Sequence, residues 1–525
     1  MTNRFDSSSI SNLNDASFAQ VLAWRASKNP NGEAARIAGQ VPWTAMELWN
    51  LAARWADEMR ANVARGDIIA TNQEAGPQAI ALTAAISALG AVEMPLSTDS
   101  IQDREDQLVT HAKYLAAITD ENIRDAESIN LNTVNIQRLT APSAEQRNFE
   151  QKRQHDFPAN MSVETPALIM STSGTTGRSK AAVLPVGAPI GQAVRVSTAM
   201  KYCTDDIILS YFPWHHINAR HAAVLPALLS GARVVFAPRF SASGFIDLVR
   251  QERITAFNFM GAMCMMLLAQ PPNRHDRSHD LKKAYGGPAP KSMVRAFKRR
   301  YGVTLRQAYA CTELGDVATT SVDELRKGAA GRVVDDYDVC VVDSSGNQLD
   351  DGKAGELLVQ PRYTGKAVLE YLNDEEATEA AWSDGWFRTR DMAIISDGWR
   401  YLLGRLSDVI RRRGININPE YIEATIRNHP QVSDVAAVAV PSALTEDEIL
   451  CYIVPNSEEA PPFAAIHRHC VEKLPKYAIP KFFTMTRSLP YNANLKLDRK
   501  TLRDKGMPTH AWGSTINTLT EPEVS

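Results

Sequence analysis

Residues 168–185, Leu-Ile-Met-Ser-Thr-Ser-Gly-Thr-Thr-Gly-Arg-Ser-Lys-Ala-Ala-Val-Leu-Pro, constrain this chain more than any other stretch. An apolar, strand-like run from Ala167 to Met170 leads into a loop of hydroxyls and two glycines, and the apolar pattern resumes after Lys180. Gly174 and Gly177 remove side chains where a backbone must turn tightly and present its N–H groups to an anion. Ser171, Thr172, Ser173, Thr175 and Thr176 add hydroxyl donors to the same concavity. Such a loop suits phosphate oxygens. It is not a Walker loop, which needs Gly-x4-Gly-Lys-Ser/Thr, because Gly177 is followed by Arg178-Ser179-Lys180. A flexible Ser/Thr/Gly linker is the competing reading. Against it, apolar runs on both sides make the loop a connection between core elements.

A chain of 525 residues is too long for one core, so two or more domains are expected. Its 44% hydrophobic and 22% charged residues match a soluble globular enzyme, and a net charge of -3 argues against a nucleic-acid partner. Six cysteines (203, 264, 311, 340, 451 and 470) lie far apart without a Cys-x-x-Cys pair, which speaks against a zinc ribbon or a disulfide framework. A reducing cytoplasm is the expected location. The N-terminus is polar and lacks the apolar stretch of a secretory signal. The most lipophilic window, Ala79 to Leu96, is interrupted by Gly90 and Glu93 and falls short of the ~20 apolar residues of a spanning helix. It reads as a buried helix, Gln78 to Leu89, feeding a buried strand, Ala91 to Pro95; no membrane span is expected.

Through about residue 330, helix-period segments such as 44–64, 185–200 and 243–252 alternate with short apolar runs at 67–71, 114–118, 167–170, 207–211, 233–237 and 256–259. That rhythm predicts α/β layers with largely parallel sheets. Residues 121–165 are polar and uneven and read as a peripheral excursion. From Gly331 to Gly404 the pattern becomes strands with turn signals, which suits a small barrel-like β subdomain. A last α+β unit follows, with strands near 435–440 and 449–453 and helices near 419–428 and 464–473. The segment after Met507 is rich in Thr, Ser and Glu and is expected to be disordered.

Other stations carry chemistry. Tyr309-Ala-Cys-Thr-Glu313 follows an apolar strand (303–305) and supplies a ring to stack on a purine, a hydroxyl for a phosphoryl oxygen and a carboxylate for Mg²⁺. Taken alone, the segment reads first as an ordinary strand-to-helix turn capped by Thr312. Ala284-Tyr-Gly-Gly-Pro-Ala-Pro290 offers backbone without bulk, for a flat ring or for a plain turn. In Asp384-Gly-Trp-Phe-Arg-Thr-Arg-Asp391 a carboxylate able to accept two ribose hydroxyls follows an aromatic strand, although a surface hairpin Asp is the commoner explanation. Gly404-Arg405 and Asp408 mark a domain junction, and Lys496 lies in a polar loop near the end.

In this order and spacing the stations resemble the ANL superfamily: acyl-CoA synthetases, adenylation domains of nonribosomal peptide synthetases, and luciferases. The resemblance runs from roughly residue 20 to 505. Phe212-Pro-Trp-His-His-Ile217 and Gln270-Pro-Pro are loosely similar to carnitine/crotonobetaine-type CoA ligases. The resemblance implies an α/β fold: a large N-terminal domain of two α/β subdomains plus a small β-barrel (residues 1–405), and a smaller mobile α+β lid domain (406–507) before a disordered tail (508–525). It also implies that Thr172, Ser173, Gly174, Thr175, Thr176, Gly177 and Lys180 hold the β- and γ-phosphates of ATP. Tyr309 and Gly286-Gly287-Pro288 sandwich adenine, Thr312 touches phosphate and Glu313 binds Mg²⁺. Asp391 and Arg405 hold the ribose, Asp408 is the hinge, and Lys496 bridges the carboxylate and the α-phosphate. His216 lines the acyl pocket, with Trp214, Phe259, Met260, Gly261 and Met265 as neighbours.

Four positions commonly glycine in the superfamily are Ala310, Arg390, Arg413 and Leu495 here. Arg413 bears on CoA, because many CoA ligases pass the pantetheine arm close to a Gly-Gly at that point, whereas carrier-protein-loading members often have Arg-Gly. Arg390, Arg413 and Arg220 also raise the reading of an anionic second substrate or a dicarboxylate; solvent-facing heads are the plain alternative. The leading expectation is an AMP-forming ligase of biosynthesis that activates a small organic acid and delivers it to a thiol, most simply CoA. The first rival keeps adenylation of a carboxylate or other small oxyacid but transfers to a carrier protein, an amine or a nitrite/arylamine pair. The second is a nucleotide-binding regulatory protein without catalysis, against which Glu313, Asp391 and Lys496 argue.

Overall fold

The alternating apolar runs of the first 330 residues fold as two sheets. The computed structural model describes residues 16–96, 112–117, 135–140, 142, 161–172, 180–412, 415–442, 447–457, 460–491 and 497–514. The chain divides into two compact units, residues 1–339 with 359–387, and residues 340–358 with 388–525.

In the first unit, one sheet runs Trp43–Thr44, Glu33–Ile37, Arg233–Phe236, Ile207–Ser210, Ala256–Met260, Lys283–Gly287 and Leu305–Cys311, continuing into Gly315–Thr319 and Gly331–Val333. The strands from Glu33–Ile37 through Leu305–Cys311 are parallel neighbours; the outermost pairs at both ends are antiparallel. Alternation along Ala256–Met260 shows why both faces are covered. Phe257 and Phe259 enter a core with Phe245, Phe297 and Tyr301, while Ala256 enters the opposite one with Trp55, Trp214 and Leu225.

The second sheet of this unit runs Glu370–Tyr371, Lys180–Pro185, Pro166–Thr172, Val92–Pro95, Ile68–Thr71, Tyr114–Ala117 and Asn135–Arg138. Part of the expected excursion at 121–165 therefore supplies a strand parallel to Tyr114–Ala117. Helix Ala45–Met59 starts where Thr44 and Glu47 form a capping box and buries Leu48, Leu51, Ala52, Trp55 and Met59 at helical spacing. It stops short of the expected residue 64 because the N–H groups of Asn62 and Val63 turn back onto Met59 O. The neighbouring helix Pro77–Ala88 is apolar almost all round and almost wholly buried. No helix of the described residues is long and apolar enough to cross a membrane.

In the second unit, the strand that ends at Ser396 pairs with Trp399–Arg405 across Asp397-Gly398, both with positive φ, the turn the Ser-Asp-Gly signal predicts. The strands Val432–Pro441, Asp447–Pro455, Phe482–Met485 and Trp512–Gly513 form a four-stranded sheet in that order. Helices Pro419–Ile426 and Phe463–Lys473 supply Ile422, Ile426, Ile466 and Cys470 to one core, and Leu502 of Arg499–Asp504 enters another. The segment expected to be disordered from 508 starts differently: Trp512 packs on Phe463, His467 and Phe483 and its strand pairs with Phe482–Met485. One aromatic anchor outweighs the polar composition around it. Residues 515–525 lie outside the described residues.

Candidate active site

The hydroxyl-rich loop is closed by a β-hairpin. Pro166–Thr172 and Lys180–Pro185 pair antiparallel, and Thr172 stands directly across from Lys180. Both ends of the loop are thus fixed by ladder hydrogen bonds, with Thr172 buried and Lys180 half-buried. Ser173, Gly174, Thr175, Thr176 and Gly177 lie outside the described residues, as do Arg413, Leu495 and Lys496.

The expected strand-to-helix turn at Thr312 is instead a β-turn. Leu305–Cys311 extends past the expected end at Leu305 to carry Tyr309, and Thr312-Glu313-Leu314 connects it to the antiparallel Gly315–Thr319. The ladder shifts register at Tyr309/Ala310, and Gly315 has φ +67°, which lets the chain reverse so tightly. Ala310 is exposed there. Glu313 is half-buried; its Oε1 accepts from Tyr371 Oη at 2.9 Å, and its carbonyl accepts from Val368 N at 2.6 Å.

The glycine platform lies on the neighbouring strand. A Cβ on Gly286 would fall 1.9 Å from Phe259 O, and one on Gly261 2.4 Å from Pro288 O, so bare backbone is a condition of the strand spacing. Tyr285, just before it, donates to Asp316 Oδ2, and Gln192 Nε2 donates to Asp316 Oδ1 at 2.8 Å. Asp316 is fully buried; burial pushes its carboxyl up against the opposing pull of Arg195, Tyr285, Gln192 and Thr319. This acid, which sequence reading missed, ties the platform strand and helix Gly187–Met200 to the strand that follows Glu313.

His216 is half-buried, sits at the N-cap of Ile217–Ala219 and lies against His215 with the rings tilted by 44° and 4.8 Å between centroids. Burial and His216 push the His215 imidazole down to about 4. Of the expected acyl-pocket neighbours, Trp214 and Phe259 belong to the fully buried cores, and Met260 and Met265 are half-buried. Trp214 is held by Nε1 donating to Thr83 Oγ1 at 3.2 Å and by the Arg220 guanidinium 4.8 Å over its ring. Arg220 is not the free cation that an anionic substrate would need. It is 2% exposed, and its two terminal nitrogens donate to the two oxygens of buried Glu93 at 3.0 and 2.5 Å. Removing one partner of such a pair costs about 3–5 kcal/mol, because the other charge stays buried.

In the second unit, Asp391 and Arg405 face one another in register, with Arg405 Nε 3.0 Å from Asp391 Oδ1. Asp391 is 4% exposed. Its neighbour Arg390 has φ +56°, a left-handed conformation that glycine adopts freely and that strains an arginine. Asp408 is gripped from the far end of the unit: Arg503 Nη1 lies 2.7 Å from Oδ1 and Arg499 Nη1 3.9 Å from Oδ2, while Arg499 Nη2 also bonds both oxygens of Glu423.

These sheets and turns have the architecture of adenylate-forming enzymes. The chain belongs to the AMP-binding enzyme family, whose model matches residues 22–367, and the model of the AMP-binding enzyme C-terminal domain matches residues 421–496. Among curated relatives, the indoleacetate–CoA ligase of Aromatoleum aromaticum is 29% identical over 479 residues, covering 87% of this chain and 92% of the relative. The crotonobetaine/carnitine–CoA ligase of Escherichia coli (strain SE11) is 24% identical over 460 residues, covering 84% and 89%. Among solved structures, ATP-bound MatB from Rhodopseudomonas palustris superposes with a TM-score of 0.81 at 22% identity, covering 93% of this chain and 98% of that one. The anthranilate CoA ligase AuaEII in complex with anthranoyl-AMP gives 0.83 at 20%, covering 95% and 98%. Both structural likenesses carry the fold.

Proposed function

We propose that the protein is an ATP-dependent, AMP-forming ligase that adenylates a small organic carboxylate and passes the acyl group to the thiol of CoA. The observation that carries this reading is the convergence, within the first unit, of the loop lysine and a carboxylate: Lys180 lies over the ring of Tyr371, and Glu313 accepts from the hydroxyl of the same side chain. A cation for phosphate oxygens and an acid for a divalent cation are what MgATP needs from a protein. Named as CoA ligases, the curated relatives support the acceptor. The pairing of Arg220 with Glu93 favours an acid that brings no second carboxylate to that point.

In this reading Thr172, Lys180 and the loop between them hold the β- and γ-phosphates, Thr312 touches phosphate, and adenine lies between Tyr309 and Gly286-Gly287-Pro288. Asp391 accepts from the ribose hydroxyls, with Arg405 orienting it. Glu313 would hold Mg²⁺. Among the described residues no group of three or more His, Cys, Asp or Glu could hold a metal, which suits this ion, since magnesium on nucleotides takes one or two carboxylates and relies on phosphate and water for the rest. When bound, the ion offsets phosphate charge. The acid's carboxylate oxygen attacks the α-phosphorus, and pyrophosphate leaves with the broken P–O bond's electron pair. Lys496 stabilises the pentavalent transition state as a positioned cation. The second unit then pivots near Asp408, withdrawing Lys496, and the thiolate sulfur attacks the acyl carbonyl to expel AMP. His216 lines the acyl side. The six free cysteines support a reducing, cytoplasmic setting.

The test is pyrophosphate release across a panel of aryl and short acyl acids, followed by CoA-dependent AMP release. Hydroxamates trapped by hydroxylamine without any CoA product would replace the acceptor. Tight ATP binding with no pyrophosphate from any acid would overturn the reading.

A further inference from the structure

Tyr371 stands between two residues of the proposed site and has no part yet in the reaction. It lies on the two-residue strand Glu370–Tyr371, 6% exposed, in register with Ala182. Leu369 N donates to Val183 O at 2.9 Å, Leu372 N to Ala181 O at 2.8 Å, and Val368 N to Glu313 O at 2.6 Å. Residues 368–372 are therefore stitched to the backbone of Glu313 on one side and to the strand that begins at Lys180 on the other. The Tyr371 side chain repeats both connections: its hydroxyl donates to Glu313 Oε1 at 2.9 Å, and Lys180 Nζ lies 4.7 Å from its ring centroid.

The chemistry of the donor matters. A carboxylate offers two oxygens and about four lone-pair directions, so one donor on Oε1 fixes its plane and leaves Oε2 for another partner. A phenol does this without adding charge, where an arginine would neutralise the acid. The ring face meanwhile attracts an ammonium group without competing for its hydrogens with a full negative charge.

We propose that Tyr371 is a positioning residue for MgATP: its hydroxyl sets the orientation in which Glu313 receives the divalent cation, and its ring sets the position of Lys180 at the mouth of the phosphate hairpin. This rests on the reading of Glu313 as the magnesium carboxylate. Titration calorimetry of ATP, with Mg²⁺ and with excess EDTA, tests it on Tyr371→Phe, Tyr371→Leu, Glu313→Gln and the Tyr371→Phe/Glu313→Gln pair. Tyr371→Phe keeps the ring and is expected to weaken MgATP binding about tenfold, the worth of one hydrogen bond to a charged group, with binding in EDTA unchanged. Tyr371→Leu is expected to lose a further factor of roughly two to five in both conditions through Lys180. The pair is expected to bind no more weakly than Glu313→Gln alone.

Wild-type MgATP affinity in Tyr371→Phe, equal loss with and without Mg²⁺, or losses that add in the pair would each overturn the proposal while leaving Glu313 its role. A Glu313→Gln protein that binds MgATP like wild type overturns the reading of Glu313, and the proposal with it. Circular-dichroism melting of Tyr371→Phe is expected to match wild type. Early melting with normal MgATP binding assigns Tyr371 to the fold alone.

Discussion

Glu313 in the first unit and Asp391 in the second both sit on antiparallel β-structure, yet they are held by opposite kinds of partner. Glu313 is half-buried and receives a hydrogen bond from an uncharged phenol. Asp391 is buried and forms an ion pair with Arg405 across the strand ladder. The first arrangement fixes a carboxylate while leaving its charge uncompensated, which suits a cation. The second presents acceptor oxygens on a pair of no net charge, which suits the hydroxyls of a neutral sugar. Two residues of similar chemistry are thus specialised by what stands behind them.

The proposed reaction asks most of a charge that acts only on the transition state, and Lys496→Ala should show the largest effect. Adenylate formation is expected to fall by at least about a thousandfold, with ATP affinity within about threefold of wild type, as expected of a positioned cation that acts in the transition state. Rapid-quench measurement of acyl-AMP beside calorimetry checks this, and equal loss of both assigns Lys496 to the fold instead. Next in size, Asp391→Asn is expected to weaken ATP about tenfold, with and without Mg²⁺ alike, and to shrink the preference for ATP over 2′-deoxy-ATP. A loss confined to MgATP would erase the distinction between the two carboxylates.

The pH range for those measurements is bounded by His215. Its folded value is lowered to about 4 from 6.5 by burial and His216, so the unfolded chain binds the proton more readily. Stability is therefore complete above about 6.5 and is lost as pH falls towards 4, by on the order of 3 kcal/mol. His221 is held low by burial and by the neighbouring Arg220 charge, and adds to the slope. Urea unfolding at pH 7.5 and pH 5 measures it, and His215→Asn is expected to flatten it. The smallest effect concerns the residue beside Asp391: Arg390→Gly relieves the left-handed strain and is expected to raise stability by up to about 1 kcal/mol, with ATP affinity unchanged. A loss of stability would show that the Arg390 side chain holds more than its backbone costs.

Local chemistry made much of this legible before any coordinates. The helix-period run from residue 44 announces a helix, the turn signals between 331 and 404 announce hairpins such as that at Asp397-Gly398, and the run from Ala167 to Lys180 announces strand, loop and strand. Partners distant in sequence were not legible. Arg220 reads as a spare cation until Glu93, 127 residues earlier, is placed against it. Tyr371 lies in a stretch whose turn signals suggest the β subdomain, yet its strand joins the sheet of Lys180–Pro185. No periodicity reveals such a pairing. Tyr309 belongs to a longer strand than its apolar run suggested, since the half-buried polar residues Arg306 and Gln307 interrupt that run inside the strand.

The grip of Arg503 and Arg499 on Asp408 has a mechanical consequence. The helix Arg499–Asp504 is capped by Asp498, two positions beyond Lys496, and through its two arginines it is fastened to the pivot and to Glu423. If Asp408 is the pivot, as proposed, the bearing and the helix that follows the lysine are tied together, and a turn at 408 would carry that helix with it.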